Sequence, residues 1–75
     1  MKNGSPKAKV LDLLSNHTTP GATFEVRGTR IKGRFGGDFL AEASIGGNVI
    51  SRVHDHSWRN AYKTLYIQVS RMFVR

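Results

Sequence analysis

The sixteen residues "DFLAEASIGGNVISRV" (38–53) limit the fold more than any other stretch. Phe39, Ala41, Ala43 and Ile45 alternate with Leu40, Glu42 and Ser44. Successive side chains of a strand point to opposite faces, so this run has one apolar and one mixed face. "GGN" supplies a tight reversal and "VISRV" the return strand; a Gly-Gly pair between two such runs is a strong hairpin signal. Upstream, "ATFEVRG" alternates in the same way, with Phe24 and Val26 set against Thr23, Glu25 and Arg27. "TRIKGRFGG" reads as its extension, opening into a loop. Three antiparallel strands with one apolar face need a cover.

Two helical patterns flank them. Ser5 is a helix cap and Pro6 suits the first helical position. Ala8, Leu11 and Leu14, with Val10, share one side, and the helix should run out near Asn16, where "NHTTPG" brings turn residues and a proline. The second pattern starts at the cap Ser57 and runs to about Phe73, with Trp58, Ala61, Leu65, Val69 and Met72 at helical spacing. The expected fold is α+β, in the order α-β-β-β-α, with both helices on one face of a three-stranded antiparallel sheet. A chain of 75 residues holds one domain, here residues 5–75 behind a frayed 1–4.

Composition narrows the function. Twelve Lys and Arg against five Asp and Glu leave a net charge of +7. A domain this basic repels itself and usually has an anionic partner. There is no cysteine, so no disulfide or thiolate metal site staples the fold, and a reducing, cytoplasmic setting is expected. No apolar run approaches the roughly 20 residues that span a bilayer, and "MKNGSPKAKV" lacks the apolar middle of a signal peptide. The carboxylates are scattered, and neither a nucleophile elbow nor a P-loop appears, so neither an enzyme nor a cofactor site is expected.

The order of elements, the glycine reversal and several motifs resemble the double-stranded RNA-binding domain family. "SPKAKVLD" places Ser5, Pro6 and Asp12 as members often place a Ser/Thr-Pro pair and an acidic residue six positions after the proline. "FLAEASIGGNVISRVHDHSWRNAYK" lays without a gap onto the family's second hairpin and its Ser-Lys-Lys-x-Ala-Lys motif, with Ser57 and Ala61 on the Ser and Ala. The likeness covers residues 5–73. The chain departs from the family where the lysine cluster becomes Trp58, Arg59 and Tyr62, and where the Gly-Pro-x-His-type loop becomes "KGRFGG".

The resemblance implies non-catalytic binding of structured, double-stranded RNA through shape and backbone contacts. Three surfaces carry that expectation. Helix one offers Lys7, Lys9 and Asp12, whose carboxylate stands where the family accepts a hydrogen bond from a ribose 2′-OH. Arg30, Lys32 and Arg34 project to one side of an extended segment. Arg59 and Lys63, four apart, share a face at a helix start that favours anions. His54 or His56 near phosphate would add a dependence on pH close to neutrality; as a metal pair they lack further ligands. Trp58, Tyr62 and Tyr66 offer rings for unpaired bases, or, for Trp58 and Tyr62 beside Arg59, a protein-binding hot spot. Two alternatives stay open: a duplex-DNA binder of the same fold, and a small inhibitor or adaptor that engages an acidic protein. A membrane partner is not expected, because residues 57–73 are needed to cover the sheet.

Overall fold

The computed structural model describes residues 5–33 and 36–73. The order is α1 (Pro6–His17), β1 (Phe24–Gly33), β2 (Gly36–Ile45), β3 (Asn48–Asp55) and α2 (Trp58–Phe73). The chain is thus an α+β domain of the expected α-β-β-β-α order, with β2 central in an antiparallel sheet.

Local chemistry sets the boundaries. The Ser5 hydroxyl accepts the Ala8 N–H at 3.1 Å, with Pro6 just inside the helix, where its missing N–H costs nothing. At the other end the Thr18 N–H and hydroxyl both donate to the Leu14 carbonyl, which closes α1 one residue later than its turn chemistry predicts. Gly46 and Gly47 have φ of 60° and 85°. Two successive positive values make the primed turn whose twist matches that of the strands, and only glycine adopts them freely. A bulge follows: Ala43 faces Ser51 while Ser44 faces Val49, so Ile50 is the extra residue of β3.

Register places the apolar face. Val26 pairs with Ala43, Gly28 with Ala41, and Ala41 in turn with Val53. Both helices cover this face, and the core joins Val10 and Leu14 of α1 to Ala61, Tyr62, Leu65 and Val69 of α2. Ala41, Ala43 and Ala61 are all fully buried, and their small side chains let α2 approach the sheet closely. His17 stacks on Phe73 at 4.8 Å, while Pro6, Arg59 and Asn60 line one groove at the opposite end. The two helices therefore run side by side in the same sense. No helix of the described residues is long and apolar enough to cross a membrane.

Burial differs from the sequence pattern at three places. Ala8 is exposed, so the buried stripe of α1 is Val10 and Leu14. Trp58 and Met72, in the first and last turns of α2, remain 39% and 50% exposed. Tyr62, expected at an interface, is instead only 5% exposed and belongs to the core.

Gly28 explains the place of Tyr62. A methyl group built there would overlap the Tyr62 hydroxyl and the Phe39 ring. The bare backbone of β1 is the seat of both aromatics. Gly28→Ala is therefore expected to destabilise the domain by about 1–3 kcal/mol through overpacking, read as a lower urea midpoint. An unchanged midpoint would mean that the two rings do not sit against β1.

Candidate nucleic-acid interface

The two sides of the domain treat their cations differently. On the outer face of the sheet, Arg27, Glu42 and Arg52 form one row across the three strands. Arg52 pairs with Glu42 at 2.9 Å, and Arg27 with Glu25, two residues away on its own strand, at 3.3 Å. Opposite charges on neighbouring positions cancel much of the field there.

On the helical side two arginines rest on aromatic rings instead. Arg30 shares the inward parity of Val26 and Gly28, and its guanidinium lies 6.0 Å from the centre of the Phe39 ring. Phe39 meets Tyr62 edge to face at 5.4 Å, and Tyr62 meets Trp58 in the same manner at 6.4 Å. Arg59 closes the series, 5.3 Å from the Trp58 ring. Each guanidinium rests on the negative face of a ring, which limits its freedom without neutralising its charge. Lys32, two residues after Arg30, projects to the same side by strand alternation. Among the described residues, no carboxylate forms an ion pair with Arg30, Lys32, Arg59 or Lys63.

Arg59 also opens a groove between α1 and α2 that Lys9, Asp12 and Lys63 line. Helix one and the start of helix two, read separately from the sequence, thus meet at one place. Their parallel sense brings two helix N-termini side by side, and the first turn of neither holds an acidic residue. The positive ends of both helix dipoles add to the side-chain charge. The start of α2 is held by local hydrogen bonds. Asp55 accepts the Ser57 N–H at 3.1 Å, and the Ser57 hydroxyl and carbonyl accept the N–H groups of Asn60 and Ala61 at 3.4 and 2.9 Å. Ser57 is thus an ordinary helix cap.

Other expected contacts fall elsewhere. Lys7 is exposed but lies outside the groove. His56 sits just past the end of β3 and pairs through Nδ1 with Asp38 at 2.9 Å. His54, on β3, is on the outer face opposite Leu40. Arg34 lies outside the described residues. The sequence pattern does not single out Phe39 as the rest for Arg30, or Leu13, Asn60 and Ile67 as groove walls. The walls had a signal: Lys9, Leu13 and Asn16, and Asn60, Lys63 and Ile67, recur at helical spacing.

Burial raises the pKa of the Tyr62 hydroxyl above its ordinary value. Since the folded value exceeds the unfolded one, the stabilisation is complete below about pH 10 and is lost as pH climbs through the folded value. Above that pH the parent protein should lose urea resistance more steeply than Tyr62→Phe. Parallel pH profiles for the two proteins would contradict the buried position of this hydroxyl.

No protein-family model, curated protein or solved structure matches this chain.

Proposed function

We propose that this domain binds structured, double-stranded RNA without catalysis, through backbone and shape contacts made by its helical side. The observation that carries the reading is the segregation of charge. Arg27 and Arg52 are paired with carboxylates on the outer sheet face, whereas on the helical side Arg30 and Arg59 rest on the rings of Phe39 and Trp58, and Arg59, Lys63 and Lys9 line the groove between the helices. Such a surface follows a phosphate backbone without reading sequence. Asp12, in the groove, is an acceptor suited to a ribose 2′-OH, the group that separates RNA from DNA. The likeness of the chain to double-stranded RNA-binding domains in order and motif supports the same reading.

The test is a titration with an RNA duplex of about 20 base pairs, longer than the roughly 16 such a domain spans, against the same sequence as DNA, each at two salt concentrations. RNA should bind more tightly, with a log–log salt slope of roughly −3 or steeper from several phosphate contacts. Equal binding to both duplexes would move the reading to duplex DNA or to charge alone. Binding to neither at low salt would overturn it and leave Trp58, with Arg59 over its ring, as the centre of a protein interface.

A further inference from the structure

The groove between α1 and α2 is larger and more apolar than phosphate contacts require. Its volume is about 680 Å³, within the roughly 300–1,000 Å³ of small-molecule sites. Leu13, Tyr66 and Ile67 form its apolar walls, and Lys9, Arg59 and Lys63 surround them with Asp12 as a lone carboxylate. Tyr66 and Ile67 are 38% and 52% exposed. A ligand held only by its phosphates would leave these side chains in water.

Ring, cations and carboxylate together match the parts of a nucleotide. A base offers a flat apolar face, a phosphate offers negative charge, and ribose hydroxyls or exocyclic amines offer hydrogen bonds to a carboxylate. Bases inside an A-form duplex cannot present that face, because they are stacked and their major groove is deep and narrow. An unpaired base turned out of the stack can, and aromatic side chains hold such bases with little regard to sequence.

We propose that this groove takes one unpaired nucleotide of the bound RNA. Its base lies on Tyr66 between Leu13 and Ile67, its phosphate meets Arg59 and Lys63, and Asp12 accepts a hydrogen bond from its ribose or base. The inference rests on the RNA reading above and specifies its substrate: duplex RNA interrupted by a bulge or an unpaired end.

The experiment uses two RNA duplexes of one sequence, perfect or with a single bulged 2-aminopurine. Both are titrated with the parent protein, Tyr66→Ala and Tyr66→Phe, after thermal melts establish that each variant folds. The parent should prefer the bulged duplex by about fivefold or more, and the 2-aminopurine fluorescence should drop as the base stacks. Tyr66→Phe should keep the preference and Tyr66→Ala should bring the ratio close to one. Equal binding of both RNAs by the parent would overturn this inference and leave the RNA reading standing. A preference that survives Tyr66→Ala would remove the base from this groove. Binding of neither RNA would overturn the inference and the RNA reading together.

Discussion

Replacing Arg59 and Lys63 together by alanine is expected to weaken binding to duplex RNA by about tenfold or more near physiological salt. Both side chains line the groove beside the start of α2, and among the described residues neither pairs with a carboxylate. Their charge is therefore available to phosphate, and removing two contacts should also lower the salt slope by about 2. The control is Arg27→Ala with Arg52→Ala, which removes the same two charges from the outer sheet face. Those arginines are already paired with Glu25 and Glu42, so affinity should change little. Anisotropy titrations of the two double variants separate geometry from net charge. Equal losses would mean that the domain binds through its total charge of +7 and not through one face.

The second large effect concerns stability. Leu65 is fully buried, in one core with Leu14, Val10 and the alanines of β2. Leu65→Ala should cost about 2–5 kcal/mol, the transfer term plus the cavity left behind. A domain of 75 residues has only about 4–11 kcal/mol in total, so this one change removes a large share. Ile67, two residues on and 52% exposed, should tolerate alanine at well under about 1 kcal/mol. Urea midpoints at constant slope measure both. Similar losses at the two positions would mean that α2 presents a different face to the sheet.

The fold was legible because its strongest signals are local. Alternation through Phe39, Ala41, Ala43 and Ile45, a turn that only Gly46 and Gly47 make comfortably, and the Ser5-Pro6 start each act within a few residues. The position of Tyr62 was not legible. Trp58 and Tyr62 are aromatics four apart on one helix, and either can head an apolar stripe. The choice is made by Gly28, which is 34 positions earlier in the chain and leaves room for a hydroxyl and a ring. The same holds for the candidate site. The cations of α1, β1 and α2 are visible as separate clusters, but the Ile50 bulge that sets Arg52 against Glu42 across the hairpin leaves no mark in the alternation. The parallel packing of α1 and α2, which makes one groove of Lys9, Asp12, Arg59 and Lys63, is a tertiary fact.

The claim that the helical side holds RNA is tested most directly by amide chemical-shift mapping of isotope-labelled protein saturated with duplex RNA. The largest shifts are expected on Lys9, Asp12, Arg30, Arg59 and Lys63, with Arg27, Glu42, Arg52 and His54 nearly unmoved. Shifts concentrated on that second group would place the ligand on the outer face of the sheet and overturn the claim.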